Sequence, residues 1–205
     1  MAIYVLHNIV SLWKKKNCLN KKDFELVELS LQNSDYFLCI VKKYEDPLMR
    51  YIRRITNINF EDAEDMLQEI FIKVYTNLNG FDSNLKFSSW IYRITHNEII
   101  SNFRKRKVRP EKISSEMNED VLEKIKSDLN IEKNFDQNIL KEKLNQIINQ
   151  LDIKYREVII LKYLEDKTYE EISDIIKKPT NTVGTLINRA KNKLNHIIKN
   201  ENITI

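Results

Sequence analysis

The scarcity of glycine and proline constrains this fold more than any other feature of the sequence. The chain of 205 residues contains two glycines and three prolines. Tight turns and β-hairpins depend on these residues for their backbone angles, so few such connections can form. Apolar residues instead recur at intervals of three and four, the spacing of a helix with one buried face. The sequence therefore predicts an all-α protein.

The composition allows packed cores and sets limits on the class of protein. Hydrophobic residues make up 42% of the chain, charged residues 31%, and the net charge is +4. Cys18 and Cys39 lack metal-ligand spacing, and we expect two ordinary reduced thiols in a cytoplasmic protein. The run from Ala2 to Trp13 is too short to span a bilayer and lacks the flanks of a signal peptide. An extra helix packed on the first domain is favoured over a helix on a membrane surface.

The stretch from Asp62 to Tyr75 predicts a helix with two different faces. Its apolar residues form one stripe: Ala63, Met66, Leu67, Ile70, Phe71 and Val74. Acids and an amide fall between them: Asp62, Asp65, Gln68 and Glu69. No basic residue follows until Lys73. Taken alone, this polar face is best interpreted as solvent-exposed, with acids that favour a helix N-terminus.

Further helices are predicted on both sides of this stretch. Apolar spacing indicates helices over 24–31 and 37–44, and Asp46-Pro47 fits the start of another that ends before Asn57. A loop is expected over 79–84, followed by a helix that Ser88 or Ser89 caps and that runs to about Arg106. The segment 111–137 is polar with weak periodicity, which indicates a linker between two domains.

The last two helices predict a helix-turn-helix. Thr168 with Glu171 makes a capping box for the first helix, and Pro179 to Asn181 is predicted to be the turn. The second helix, Thr182 to Ile198, presents hydroxyl, amide and basic groups: Thr182, Thr185, Asn188, Arg189, Lys191 and Lys193. Such groups read base edges and neutralise phosphates, so DNA binding is favoured over a structural helical hairpin.

A second basic track ends the helix that begins near Ser88. Arg93, Asn97, Ser101 and Arg104 share a face, and a run of basic residues follows from Arg104 to Lys107. Aromatic and amide groups beside cations suit single-stranded nucleic acid, although dipole compensation explains the basic run equally well. Trp90 is expected to lie in the core.

These motifs together resemble a known family. The block from Asp62 to Phe71, followed by Phe87 to Asn97 and the basic run, is similar to region 2 of the extracytoplasmic-function (ECF) group of bacterial RNA polymerase sigma factors. The stretch from Leu151 to Leu194 is similar to their region 4. The resemblance covers about 24–194.

The resemblance implies a role for each candidate residue. The clamp helices of core RNA polymerase would bind Asp62, Asp65, Gln68 and Glu69. The loop from Asn79 to Ser88 would accept a flipped base of the −10 element. The −10 DNA would contact Asn79, Phe81, Asn84, Lys86, Arg93, Asn97, Arg104, Lys105 and Arg106. The −35 element would contact Thr182, Thr185, Asn188, Arg189, Lys191 and Lys193, and region 4 would touch the polymerase flap.

The resemblance also divides the chain and predicts its partners. The expected parts are an N-terminal extension (1–22), the region 2 domain (23–109), a flexible linker (110–138), the region 4 domain (139–199) and a tail (200–205). Core polymerase and promoter DNA are the expected partners, an anti-sigma factor is left open, and no small-molecule substrate is expected. The family usually has Gly where Lys177 stands, and Lys or Arg at Gly184 and Leu186. These departures predict altered or weaker −35 binding.

Other classes of function fit the sequence less well. His7, His96 and His196 lack ligand spacing, and no glycine-rich phosphate loop occurs, so no enzyme, metal or cofactor is expected. A conventional helix-turn-helix regulator leaves the acidic face and the basic, Trp-bearing helix unexplained. A sigma-like adaptor that only binds an anti-sigma factor does not need a basic recognition helix.

Overall fold

The computed structural model describes residues 18–105, 144 and 146–200, in which helices alternate with turns and no strand occurs. The first half contains α1 (Asp23–Gln32), α2 (Phe37–Thr56), α3 (Phe60–Thr76) and α4 (Phe87–Lys105), with 3-10 turns at Cys18–Asn20, Ser34–Tyr36 and Leu78–Gly80. The second half contains α5 (Ile153–Ile159), a π-helical turn (Ile160–Leu164), α6 (Tyr169–Ile176) and α7 (Thr180–Asn200). The all-α prediction is confirmed for these residues. The predicted N-terminal helix, the linker and residues 201–205 lie outside them.

Helix α3 has the buried stripe that the sequence predicts. All six apolar residues of that stripe are buried. The helix begins two residues earlier than predicted, because the side-chain oxygen of Asn59 accepts a hydrogen bond of 2.7 Å from the backbone N–H of Asp62. Burial of this stripe fixes which face of α3 remains in solvent.

Helix α2 is one continuous helix, and the predicted break at Asp46-Pro47 is wrong. Pro47 lies inside the helix, where it cannot donate to the carbonyl of the preceding turn. Tyr44 and Leu48 are nevertheless both buried on the same side of the chain. Their packing outweighs the lost hydrogen bond, so tertiary contacts override the local stop signal. The helix ends at the predicted place, with Asn57 in the left-handed region at φ 54°.

Two further helix starts differ from the prediction. Helix α4 starts at Phe87, so Ser88 and Ser89 lie in its first turn and do not cap it. The carbonyl of Lys86 accepts from the N–H of Trp90, and the ring of Phe87 packs against that of Tyr44 at 5.6 Å. Helix α7 starts at Thr180, because the carbonyl of Pro179 already accepts from Thr182 and Val183.

The predicted turn of the helix-turn-helix is therefore shorter and lies earlier. Lys177 ends α6 in the left-handed region at φ 54°, a conformation that glycine adopts at lower cost. The capping box of α6 is confirmed: Thr168 Oγ1 accepts from the N–H of Glu171, and the Glu171 carboxylate accepts from the N–H of Thr168. Ile172, Ile175, Val183 and Ile187 are buried between α6 and α7.

Cys18 and Cys39 form a disulfide, so the prediction of two reduced thiols is wrong. Their Cα atoms are 5.6 Å apart, a normal distance for a disulfide, and both residues are buried. The 3-10 turn at Cys18–Asn20 places Cys18 beside the first turn of α2. The sequence separation of 21 residues carries no signal of this proximity.

The two halves of the molecule pack against each other. Helix α4 of the first half lies on α6 of the second, and the apolar core is continuous between them. Within the described ranges, no helix is apolar over enough of its length to cross a bilayer.

Candidate nucleic-acid and protein interfaces

The polar side of α3, hereafter the acidic face, consists of Asp62, Asp65, Gln68 and Glu69. Asp65, Gln68 and Glu69 are exposed, and Asp62 is half-buried at the start of the helix. Within the described part of the chain, Asp65, Gln68 and Glu69 make no side-chain hydrogen bond or ion pair. Lys73, the nearest base on the helix, pairs with Glu98 of α4 instead. Asp65, Gln68 and Glu69 are therefore available to a partner.

A cavity of about 390 Å³, hereafter the helix cavity, lies where the end of α3 meets α4. Arg93 and Asn97, which the sequence predicts to share a helix face, both line it. Lys73 and Glu98 complete its polar wall, and the Glu98 carboxylate is fixed by Lys73 and by the side-chain N–H of Asn102 at 2.9 Å. This arrangement offers the Arg93 guanidinium, the Lys73 ammonium that is paired with Glu98, and amide groups to a hydrogen-bonding ligand such as a phosphate.

A second cavity of about 270 Å³, hereafter the loop cavity, is formed by the loop before α4. Phe81 and Lys86, two of the predicted DNA contacts, line it. The ring of Phe81 packs against Phe87 at 5.2 Å and Trp90 at 5.4 Å, which holds the loop on the core. Trp90 is buried, as predicted.

The other predicted −10 contacts are spread around these cavities. Asn79 and Asn84 are exposed, and Asn84 Nδ2 donates to Asp82 Oδ1 at 2.9 Å within the loop. Arg104 is exposed near the end of α4. The side chain of Lys105 and the whole of Arg106 lie outside the described residues.

The predicted recognition helix α7 presents the expected side chains to solvent. Thr182, Thr185, Asn188, Arg189 and Lys193 are exposed, and Lys191 is half-buried. The Thr185 hydroxyl donates to the carbonyl of Asn181 at 2.9 Å, which orients it along the helix. The structure thus brings these groups to one side of α7, opposite the buried face that packs on α5 and α6.

A buried ion pair between Arg54 and Glu165 joins the two halves of the chain. The interface between the halves that contains this pair is here called the junction. Arg54 Nη1 lies 2.7 Å from Glu165 Oε1, with the two side chains 8% and 5% exposed. The same guanidinium donates to the carbonyl of Leu164 at 3.2 Å, and the Tyr92 hydroxyl donates to the other oxygen of Glu165 at 2.7 Å. Burial and the Glu165 carboxylate raise the pKa of Tyr92, so its hydroxyl stays protonated.

Three more contacts cross the junction. Arg156 Nη1 donates to the carbonyl of Ile55 at 3.0 Å, near the C-terminal end of α2. Lys167 lies 4.2 Å above the ring of Tyr92. Lys86 of the loop cavity lies 3.0 Å from Glu171 of α6. A predicted DNA-binding lysine is therefore engaged by the second half of the chain.

His96 and Glu157 face each other in the junction with opposite pKa shifts. Their side chains are buried, and His96 Nε2 lies 3.7 Å from Glu157 Oε2. Burial, with Lys178 nearby, lowers the pKa of His96 to about 4. Burial raises the pKa of Glu157 to about 7, which Lys178 partly opposes. Tyr51 also contacts this site, with its hydroxyl 3.3 Å from His96 Nδ1.

The pH dependence of stability follows from the signs of these two shifts. Between about pH 6.5 and 4 the unfolded chain protonates His96 first, so stability falls as the pH falls. Between about pH 7 and 4.5 the folded chain protonates Glu157 first, so stability rises as the pH falls. The two contributions oppose each other where these windows overlap.

Glu157→Gln is expected to expose the contribution of His96. Its free energy of unfolding should fall with decreasing pH below about 6.5, by up to roughly 1.4 kcal/mol per pH unit. The wild-type chain should vary less over the same range, and urea denaturation at each pH measures both. If the variant shows no steeper acid dependence than the wild type, His96 is not buried in its neutral form.

Sequence reasoning missed several residues at these sites. Asp23 and Phe24 of α1 line the loop cavity, although they lie almost sixty residues before the loop. Lys73 and Glu98 line the helix cavity, and neither stood out because each looks like an ordinary surface charge. No local pattern identifies the junction residues, since Arg54 and Glu165 are 111 positions apart. Among the described residues, no cluster of potential metal ligands occurs.

Comparison with known proteins identifies two regions of the chain that match families. The Sigma-70 region 2 family matches residues 40–109, and the Sigma-70 region 4 family matches residues 141–194. The ECF RNA polymerase sigma factor SigW of Bacillus subtilis (strain 168) is 34% identical over 166 residues, which cover 79% of this chain and 88% of SigW.

Two solved structures share the fold. A structure of CnrH in complex with the cytosolic domain of CnrY aligns with a TM-score of 0.62 at 21% identity, over 86% of this chain and 97% of the other. The sigma factor RpoE of Bartonella quintana, in complex with the anti-sigma factor NepR, aligns with a TM-score of 0.59 at 20% identity, over 78% and 94%. Both family regions occur in order, and a curated relative matches across most of its length. The chain belongs to the ECF group of the sigma-70 family of RNA polymerase sigma factors.

Proposed function

We propose that this chain binds core RNA polymerase through the acidic face of α3 and directs it to promoters. One observation carries the proposal: α3 presents Asp65 and Glu69 to solvent without a partner among the described residues, while its end forms with α4 a cavity lined by Arg93 and Lys73. The two features suit two different partners, a basic protein surface and nucleic acid. A sigma factor must hold both at once, and the polymerase then carries out the chemistry.

The −10 element is proposed to bind along α4 and its preceding loop. At the helix cavity, Arg93 and Lys73 can contact the phosphate backbone of the separated strand. The amide of Asn97 can form hydrogen bonds with the base edges of that strand. The loop cavity would accept one flipped base, with Lys86 beside its phosphate. Phe81 and Trp90 support this surface from below, and the flipped base has no contact with the buried ring of Trp90.

The −35 element is proposed to bind the exposed side of α7. Thr182, Thr185 and Asn188 offer hydrogen bonds to base edges, and the basic residues follow them toward the C-terminal end. Gly184 is not required by packing, because an added Cβ would lie 3.6 Å from the ring of Tyr169. A side chain could therefore begin at this position, yet the chain carries no cation there, which supports weaker electrostatic attraction to the −35 DNA.

Arg189→Ala is expected to reduce −35 affinity in a sequence-dependent way. Loss of a base contact should cost about 1–3 kcal/mol on the preferred sequence and relax discrimination at one position. Lys193→Ala is the matched control, because loss of a phosphate contact weakens all sequences alike and lowers the salt dependence. Competition binding of holoenzyme to −35 variants measures both. Equal weakening by Arg189→Ala on every sequence would assign that residue to the phosphates.

The two halves must separate before both promoter elements are bound. Elements about 25 base pairs apart, at about 3.4 Å per base pair, are separated by roughly 85 Å. A compact chain of this length has a radius of gyration of only about 17 Å. In addition, the Glu171 carboxylate forms an ion pair with Lys86, a residue of the loop cavity, while the halves are packed together. We infer that promoter binding breaks the junction, and that the packed state is the form of the free chain.

A test of the proposed function is association with purified core polymerase. The chain should co-elute with core at a one-to-one ratio, and the complex should protect both elements of a cognate promoter from nuclease. A conventional regulator would instead bind duplex DNA tightly without core. Because one structurally similar sigma factor is in complex with an anti-sigma factor, a regulator of that class is a further proposed partner, to be sought by co-purification.

A further inference from the structure

The loop cavity has a second wall that lies outside the matched family regions. Asp23 and Phe24, at the start of α1, face the loop residues Ser83, Lys86 and Ser88 across the cavity. Both precede the residues that match the region 2 family, which begin at residue 40. Three aromatic rings, a carboxylate, two hydroxyls and a cation therefore line one space of about 270 Å³.

Phe24 supplies an unused aromatic surface. Its side chain is 51% exposed, although its neighbours Leu26 and Val27 are buried. No ring of another described residue stacks on it. Aromatic side chains at such positions bind unstacked bases through their faces. The exposed ring is thus suited to hold a base at the cavity.

Asp23 is held in place by two neighbours from α2. The buried Tyr44 hydroxyl donates to Asp23 Oδ2 at 2.7 Å, and Lys43 Nζ lies 2.7 Å from Asp23 Oδ1. Burial and the neighbouring carboxylate raise the pKa of Tyr44, so the phenol remains a donor to Asp23. Asp23 Oδ1 is buried beside Lys43, so a ligand in the cavity would reach Oδ2, which accepts one hydrogen bond from Tyr44 on a side chain that is 28% exposed. Since each carboxylate oxygen can accept two hydrogen bonds, the group retains acceptor capacity.

A fixed carboxylate distinguishes bases by their exocyclic groups. The amino group of cytosine donates at the position where thymine has a carbonyl oxygen, and only the donor is compatible with a carboxylate acceptor. We propose that Phe24 stacks on the flipped base of the −10 element and that Asp23 selects cytosine over thymine at that position. This inference rests on the proposed function of the chain. It assigns base specificity to two residues that precede the segment matching the region 2 family.

The test measures holoenzyme binding to forked promoter DNA. Each position of the −10 element carries in turn 5-methylcytosine or thymine. These bases share the methyl group but differ at position 4, amino against carbonyl, and in the proton on N3. At one position the wild-type holoenzyme should bind DNA with 5-methylcytosine about tenfold more tightly than DNA with thymine. Asp23→Asn should bring that ratio below about threefold, because an amide can also donate to the thymine carbonyl. Glu28→Gln, on the same helix, should leave the ratio unchanged.

Further variants separate base reading from folding. Phe24→Ala should weaken both DNAs by about fivefold or more with an unchanged ratio, and Phe24→Tyr should restore binding. Tyr44→Phe should lower the ratio by releasing Asp23, while thermal melting shows that each variant is folded. If Asp23→Asn weakens both DNAs equally, its role is structural and the inference is wrong.

The outcome also separates this inference from the proposed function. Transcription by the wild-type holoenzyme with a base ratio near one at every position overturns only the assignment of Asp23 and Phe24. Failure to form a holoenzyme overturns the proposed function, and the inference with it.

Discussion

Glu165→Ala is expected to separate the two halves of the free chain. With the halves still packed, the variant would leave the guanidinium of Arg54 buried without a carboxylate, at a cost of about 3–5 kcal/mol. Separation returns the charge to water and avoids most of that cost. The radius of gyration from small-angle scattering should therefore rise clearly above the ~17 Å of a compact chain. If the junction restrains promoter binding, the variant should also bind core polymerase more tightly.

Two controls isolate the ion pair as the cause. Glu170→Ala removes an exposed carboxylate from the same part of the chain and should leave the radius unchanged. A triple variant replaces the polar side chains of the junction by apolar ones: Arg54→Met, Tyr92→Phe and Glu165→Leu. Its two halves should stay packed. An unchanged radius in Glu165→Ala, without loss of stability, would mean that the buried pair does not hold the halves together.

Glu69→Lys is expected to abolish stable binding to core polymerase. Reversal of a charge at a desolvated contact should cost about 2–5 kcal/mol or more, which is at least about thirtyfold in affinity. Glu69 is exposed and lacks a partner in the described chain, so the free protein should keep its melting temperature. Fluorescence anisotropy of labelled chain with core measures the affinity.

Glu28→Lys is the matched control for this charge reversal. Glu28 is exposed on α1 and carries the same charge change away from the acidic face. It should bind core like the wild type. Equal affinity of the Glu69 and Glu28 variants for core would contradict the assignment of the acidic face to the polymerase.

Periodicity predicted the parts of the fold in which burial is local to one helix. The stripe of α3 and the packing of Ile172, Val183 and Ile187 follow from spacings of three and four, because each contact needs only a neighbouring helix. The capping box at Thr168 was equally readable, since donor and acceptor lie three residues apart.

The errors in the prediction arise where distant contacts decide the structure. Pro47 indicates a helix start locally, but the buried neighbours of α2 keep one helix running through it. The pairing of Cys18 with Cys39 depends on how the chain returns to α2. Phe24 fits an apolar stripe by its spacing and is nevertheless half exposed.

The candidate sites show the same difference between contacts local to one helix and contacts between distant residues. Arg93 and Asn97 share a helix face, and the structure brings both to one cavity. The contribution of Asp23 to the loop cavity and the engagement of Lys86 by Glu171 require the tertiary arrangement. The family resemblance supplied the partners of these surfaces, which the side chains alone left open between a regulator and a sigma factor.

Run-off transcription tests the central claim most directly. Purified chain is added to core polymerase on sheared genomic DNA, and the transcripts are mapped to their start sites. Our account predicts transcripts that begin downstream of a shared pair of −10 and −35 sequences and that disappear with Glu69→Lys. Saturating core without any transcript, together with tight duplex binding by the chain alone, would contradict it.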